Sequence, residues 1–410
     1  MSGFSTRMIH GQPAKQDAHG ALRPPVYDGV AFEFASSQDI QLTFEGRKPA
    51  HSYTRISNPT VEYFEQRLAA ASGAVGAVAT ASGMAANSAL VLALGSAGSR
   101  VVASRYLFGN TASLLEGTLK PWGLETTWVD MSDLAAVEAE LKAGACMLFL
   151  ESISNPQMQV ADLRALSALA RSAKVPLVVD STVTPPVGYR PKELGVDVEV
   201  LSTTKYISGG ATSVGGAILD MGSFDWKQSP KLAPWAAQAG PLALLVALRR
   251  EVQRNLGGCL SPHNASLQTL GLETLELRVR ASAANALEAA RFLAGHAKVL
   301  SVDYPGLKSH PSHALAKAQF GGIFGGILSF SLGGRAACYS AMDQLRLIRR
   351  ATNINDNKTL IIHPASTIFS EFTPAQRGQL GVPEGLLRLS LGIENAPDLV
   401  EDLAQALEVL

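Results

Sequence analysis

The chain is poor in cysteine. It has three, Cys146, Cys259 and Cys338, with no C-x-x-C pair and no even framework. This excludes a disulfide scaffold and points to a reduced, cytosolic protein. Charge is also scarce, at 17%, and balanced, with 35 Lys and Arg against 35 Asp and Glu. No basic face marks a nucleic-acid binder, and no polybasic run marks a membrane-surface protein. Long apolar runs are missing: Leu242 to Leu248, among the longest, is far too short to cross a bilayer. The first residues, Met-Ser-Gly-Phe-Ser-Thr-Arg, lack the apolar stretch of a signal peptide. No His or Cys lies at metal-ligand spacing from His363, so no metal is expected, and His363 reads as a packed histidine. A G-x-G-x-x-G between strand and helix is also lacking, despite Gly209-Gly210 and Gly215-Gly216. That argues against a dinucleotide site.

A chain of 410 residues exceeds the size at which one core keeps growing, which predicts two domains. Its 47% apolar content is that of an ordinary packed globular protein. Abundant Ala and Gly with few charges suggest surface buried between subunits. Residues 1–52 show little periodicity and read as an extended arm of the kind that lies on another subunit. Over 53–255, strands and helices alternate. Thr60 is the expected cap of a helix over Val61 to Ala71, and a small-residue strand from Gly76 precedes a helix over Ala85 to Leu94. Strands then follow at Val101, Glu125, Cys146 and Leu177. This spacing predicts right-handed βαβ units and a mostly parallel sheet, hence an α/β class. Over 256–410 helical stretches, within Ser266 to Phe292, precede strands such as Gly326 to Leu332, which predicts a smaller α+β domain.

The stretch that organises the rest is Val196 to Gly210, V-D-V-E-V-L-S-T-T-K-Y-I-S-G-G. Val196, Val198 and Val200 alternate with Asp197 and Glu199 as in a strand. The strand runs into Ser202, Thr204 and Lys205. A lone lysine after a strand is ordinarily a solvated loop residue, but this one has company. Ser202 and Thr204 offer hydroxyls for a phosphate, and Leu177 to Asp180 ends in an acid. Strand carboxyl ends line the ligand crevice of an α/β sheet. A lysine and an aspartate there are the pair that pyridoxal phosphate needs, one for the Schiff base and one for the pyridinium nitrogen. Ser82-Gly83-Met84 places free backbone N–H groups at a helix start, which suits a phosphate. Tyr53 and Arg55 precede a helix in a loop, Asn155-Pro156 follows a strand, and Arg388, at a strand start, could grip a carboxylate with two N–H groups.

Taken in order, these elements resemble the Cys/Met-metabolism family of pyridoxal-phosphate enzymes, the cystathionine γ-synthase-like branch of fold type I. The elements are Tyr53-x-Arg55 with Asn58-Pro59-Thr60, Ser82-Gly83-Met84, Phe108 to Thr111, Glu151 to Pro156, Val179-Asp180, Ser202 to Lys205, His363 to Ser366, and Arg388-Leu-Ser. The resemblance implies fold type I, with a mostly parallel large domain and a smaller C-terminal α+β domain. It implies that Lys205 holds pyridoxal 5′-phosphate and later shuttles protons. Asp180 would steady the ring nitrogen, Phe108 would stack on the ring, and Ser82, Gly83, Met84, Ser202 and Thr204 would hold the phosphate. Tyr53 and Arg55 would reach the cofactor of a neighbouring subunit, within a dimer of dimers. Asn155, Asn353 and Arg388 would meet the cofactor hydroxyl or the substrate carboxylate.

Asn255 to Asn264, Gly271 to Leu275, Pro311 to Ala316 and Asp356 to His363 are similar to the branch that acts on O-acetylhomoserine. That implies γ-replacement with sulfide, another thiol or a sulfur-carrier protein, in methionine biosynthesis. The alternatives are O-succinylhomoserine as substrate, or γ-elimination from methionine or cystathionine. Three positions depart from the family pattern: Phe108 replaces a tyrosine, Ile368-Phe369 replaces Thr-His, and Asn353 stands where many members have serine. Tyr106, two residues before Phe108, is the candidate for the missing hydroxyl.

Overall fold

The structure, a computed structural model, describes residues 3–11 and 19–410. The parts of the expected arm at 1–2 and 12–18 lie outside them. Among the described residues, twelve strands form two sheets. The first seven are β1 (Gly76–Thr80), β2 (Arg100–Ser104), β3 (Glu125–Val129), β4 (Met147–Glu151), β5 (Leu177–Asp180), β6 (Val198–Leu201) and β7 (Gly216–Asp220). They lie in the order β1-β7-β6-β5-β4-β2-β3. Neighbours from β6 through to β3 run parallel, and β7 runs antiparallel to both β6 and β1. The parallel run follows from its connections: long crossovers carrying helices such as Leu134–Lys142 and Leu163–Ser172 return the chain to the same edge.

The remaining five are β8 (Ser301–Asp303), β9 (Ile327–Ser331), β10 (Arg349–Arg350), β11 (Leu360–Ile362) and β12 (Leu386–Ser390), in the order β10-β11-β12-β9-β8. Every pair except β10 with β11 is antiparallel. The seven-stranded sheet therefore falls within 53–255 and the five-stranded one within 256–410. One apolar core runs between them: Leu148, Leu150, Leu177 and Val179 of the first sheet pack in the same cluster as Ile327, Leu328, Leu387 and Leu389 of the second.

The outer edge of β1 is closed by side chains rather than by another strand. Glu65 Oε1 accepts from the Ala79 amide at 2.7 Å, and Gln253 donates to the Ala79 carbonyl at 2.7 Å. Arg249 donates to the Ala77 carbonyl at 3.2 Å and pairs with Glu65. An exposed row of amides and carbonyls would invite pairing with another chain, and this cover removes it.

Several local expectations need correction. The helix expected from Val61 spans Pro59–Ser72, and its cap is Asn58, whose Oδ1 accepts from Thr60 N at 2.9 Å. Proline is well suited to the first helical position, which moves the start one turn-residue upstream of Thr60. The helical stretches expected over Ser266 to Phe292 are the two helices Pro262–Glu273 and Leu275–Ala294, the first beginning at Pro262 rather than Ser266. The 1–52 segment contains short helices at Phe4–His10 and Ser37–Phe44. Arg388 is not at a strand start but in the middle of β12. Among the described residues no helix is long and apolar enough to cross a membrane.

Candidate active site

A cavity of about 640 Å³ opens where the carboxyl ends of β4, β5 and β6 face the second sheet. Its floor is the start of the helix Gly83–Leu94. Ser82 caps that helix, its Oγ accepting from Ala85 N at 3.0 Å. Gly83 and Met84 line the cavity, and amides in a first helical turn have no intrahelical acceptor. Small residues are required here. A methyl group on Gly83 would fall 2.7 Å from Ser202 Cβ, and one on Gly216 would fall 2.2 Å from the Ser82 carbonyl oxygen. Ser202 and Thr204 complete the same wall. The Thr204 hydroxyl donates to the Gly215 carbonyl at 3.1 Å and accepts from its amide at 3.0 Å, while Ser202 N donates to Thr182 Oγ1 at 2.9 Å. Free amides at the positive end of a helix, beside hydroxyls and without bulky cover, suit a phosphate.

Lys205 lies just past β6, and its Nζ donates to Asn353 Oδ1 at 2.6 Å. Burial, followed by the Arg388 charge, lowers the amine to about 8; Asp356 and Asp180 oppose this. Asp180 ends β5, and its Oδ1 accepts from Thr182 N at 2.9 Å. Burial raises its carboxyl, against the Thr182 bonds and the Lys205 charge. A cationic ring nitrogen beside it would favour the ionised form. Glu151 ends β4, paired with Asp180 in the parallel register. Its Oε1 accepts from Phe108 N at 2.5 Å and its Oε2 from Asn155 N at 3.2 Å. Burial first, and then Asp180, hold it well above the usual carboxylate range.

Arg388 faces the cavity from the second sheet. Its Nη1 donates to Asn155 Oδ1 at 3.2 Å, and its Nη2 donates to the carbonyls of Thr352 at 3.1 Å and Asn353 at 3.2 Å. Among the described residues its Nε, which is buried, has no partner. Burial pulls the guanidinium below its usual value. A carboxylate in the cavity would satisfy both the orphan donor and the uncompensated charge.

The cavity thus brings together Ser82, Gly83, Met84, Phe108, Asn155, Asp180, Ser202, Thr204, Lys205, Asn353 and Arg388. Three sequence candidates lie elsewhere. Tyr106 does not line the cavity. Its amide donates to Ser104 Oγ at 3.2 Å, and its ring lies 5.9 Å from the Arg105 guanidinium. The turn after β2 sends the two aromatics different ways, so Tyr106 cannot supply the hydroxyl that Phe108 lacks. Tyr106→Phe is expected to leave turnover within twofold, about 0.4 kcal/mol, in a steady-state assay. Tyr53 and Arg55 are also outside this chain's own cavity. Arg55 donates to the Arg254 carbonyl and stacks 5.3 Å above the Tyr53 ring, which is 40% exposed.

His363 is buried, with Nδ1 against Ser366 Oγ at 2.8 Å and Nε2 against the Glu384 carbonyl at 2.9 Å. Among the described residues no cluster of three His, Cys, Asp or Glu could hold a metal. Sequence reasoning gave Glu151 no role, although a charge ending the apolar run Met-Leu-Phe-Leu-Glu was a usable signal.

The family described as Cys/Met metabolism PLP-dependent enzyme matches residues 5–408. The chain is 37% identical to the L-methionine gamma-lyase of Pseudomonas putida, over 100% of this chain and 98% of that one. A crystal structure provisionally described as an O-acetylhomoserine (thiol)-lyase from Campylobacter jejuni superimposes with a TM-score of 0.95 at 32% identity, covering 99% of this chain and 100% of that one. It carries N′-pyridoxyl-lysine-5′-monophosphate at its position 205. A structure of the O-acetylhomoserine sulfhydrylase from the methionine biosynthetic pathway of Wolinella succinogenes is 50% identical, with a TM-score of 0.78 over 86% of this chain and 99% of that one.

Proposed function

Since the chain belongs to the Cys/Met metabolism family of PLP-dependent enzymes, we propose that it replaces the acetoxy group of O-acetyl-L-homoserine with sulfide or another thiol. The Cγ–O bond breaks and acetate leaves with the electron pair. A Cγ–S bond forms, giving L-homocysteine when the donor is sulfide. Bound pyridoxal phosphate supplies the electron sink that makes the Cα and Cβ protons removable.

The chain's residues do the rest. The amides of Gly83 and Met84, with Ser202 and Thr204, hold the phosphate. Asp180 meets the ring nitrogen, and Phe108 stacks on the ring. Arg388 grips the substrate α-carboxylate, with Asn155 fixing the guanidinium. Lys205, whose lowered basicity suits work near neutral pH, takes up and returns protons at Cα and Cβ.

The observation that carries the reading is the charge inventory of the cavity. Its charged lining residues are Glu151, Asp180, Lys205 and Arg388 among the described residues. With Lys205 on the cofactor, Arg388 on the α-carboxylate and the second copy's Arg55 on the cofactor phosphate, none of these cations is left for the second carboxylate of a succinyl ester. A carboxylate, a fair leaving group, suits a site with Phe108 in the place of a tyrosine acid, and this holds for either ester. The 50% identity to an O-acetylhomoserine sulfhydrylase supports the choice of the acetyl ester. The likeness to a methionine γ-lyase favours a second reading. Initial rates with O-acetyl- and O-succinylhomoserine plus sulfide, and with methionine alone, test this. Faster cleavage of methionine, or preference for the succinyl ester, would overturn it.

The lowered amine has a pH consequence. Capture of pyridoxal phosphate by the apoenzyme consumes neutral Lys205. The capture rate is therefore expected to rise with pH and to level off above about 8, rather than near the ordinary lysine value of ~10.4. Stopped-flow absorbance of the apoenzyme mixed with cofactor measures the midpoint.

Tyr53 and Arg55 belong, in this proposal, to the site of a second copy, in a dimer that pairs into a tetramer. Arg55→Ala and Lys205→Ala chains, each inactive, should then regain up to about one quarter of wild-type activity when co-expressed, because a mixed dimer contains one site with neither change. Activity no higher than the sum of the two separate variants would exclude a shared site.

A further inference from the structure

Lys205 is linked to Asp356 through the side chain of Asn353. Its Nζ donates to Asn353 Oδ1 at 2.6 Å, and Asn353 Nδ2 donates to Asp356 Oδ2 at 3.3 Å. An amide side chain can present either its oxygen or its nitrogen to a neighbour, and the hydrogen-bond network decides which. Asp356 Oδ2 accepts from the Asn353 nitrogen. That leaves the Asn353 oxygen for the lysine. Asp356 is itself held, its Oδ1 accepting from Lys358 N at 3.1 Å. Were Asn353 turned over, its NH₂ would meet an ammonium donor to donor, or occupy the lone pair that the neutral amine needs as a base.

We infer that Asp356 is a positioning residue that locks the Asn353 amide oxygen-first toward Lys205, and so aims the amine that moves protons during the reaction. The inference rests on Lys205 being the cofactor-bearing proton carrier, but not on the identity of the γ-substituent. Electrostatics agree with the geometry. The groups acting on the amine are Arg388 from β12, which lowers its basicity, and Asp356 and Asp180, which raise it.

Two readouts on Asp356→Asn test the idea. The first uses the apoenzyme. With the charge gone and Asn353 free to turn, the midpoint of pyridoxal phosphate capture should fall by roughly half a pH unit or more. The second uses the holoenzyme with L-alanine, which has no γ-substituent, in D₂O. Exchange of its Cα proton, followed by NMR, should slow by about tenfold while the melting temperature holds, because a misaimed base loses rate without loss of fold. An amide is needed for the effect, so the cycle is completed with Asn353→Ser, since a hydroxyl rotor both donates and accepts. In that background Asp356→Asn should change exchange by less than about twofold, the mark of coupled neighbours.

An equal slowing in both backgrounds would overturn the inference, because a charge acting through space needs no amide. So would exchange and capture unchanged by Asp356→Asn. Asp356→Ala, read the same way, replaces it if the asparagine variant does not fold. Failure of the acyl-homoserine assay with normal alanine exchange would instead count against the substrate reading alone.

Discussion

The Lys205→Ala enzyme should turn over its acyl-homoserine at least about 10³-fold more slowly than wild type, since the change removes both covalent attachment and the proton carrier. The loss should be chemical rather than structural. Among the described residues the Lys205 amine makes one hydrogen bond, to Asn353 Oδ1, and forfeiting it costs about 1 kcal/mol. Truncation also relieves a desolvated amine, since burial is the largest influence on its basicity. The melting temperature of the apo-variant should therefore stay near wild type. Intact-mass analysis after borohydride reduction separates the cases: wild type should retain the cofactor mass on the chain, and the variant should lose it. Wild-type turnover by Lys205→Ala would remove the basis of the mechanism.

Arg388→Ala should raise KM for O-acetylhomoserine by about 10²-fold, with a smaller fall in kcat. Charge-assisted hydrogen bonds contribute about 1.5–3 kcal/mol, and the carboxylate is gripped alike before and during the reaction, so the loss appears mainly as binding. Arg388→Lys should recover only part of it. A single ammonium cannot serve the Asn155 oxygen, the Thr352 and Asn353 carbonyls and a bound carboxylate together, as the guanidinium fork can. Steady-state kinetics on both variants, with cofactor occupancy matched by absorbance, checks this. An unchanged KM in Arg388→Ala would move the carboxylate site elsewhere.

The chemistry of the site was legible where it sits on a short stretch of backbone. Lys205, Ser202 and Thr204 leave one strand, Asp180 ends the next, and Ser82-Gly83-Met84 starts a helix, so local pattern carried all of them to one sheet edge. Thr60 failed as a cap because Asn58-Pro59 supplies both a side-chain acceptor and a residue suited to the first turn. Tyr106 failed because sequence separation says nothing about which way a turn sends two aromatics. The roles of Glu151 and Asp356 were not legible, for a tertiary reason. Each matters through a group far away in sequence or one side chain removed, such as the Phe108 amide reached from β4. The two-sheet division was visible as a change of periodicity near residue 256, but the core continuous between the sheets was not. Alternation shows that a residue is buried without showing what it is buried against.

The glycine floor has a consequence for anyone reshaping the enzyme. At Gly83 and Gly216 even a methyl group meets fixed neighbours, so saturation libraries there should return only inactive clones. Asn110, Val214 and Ile368 border the same chamber without that constraint. New donor thiols should be accommodated by diversifying these three while the cofactor's seat stays intact.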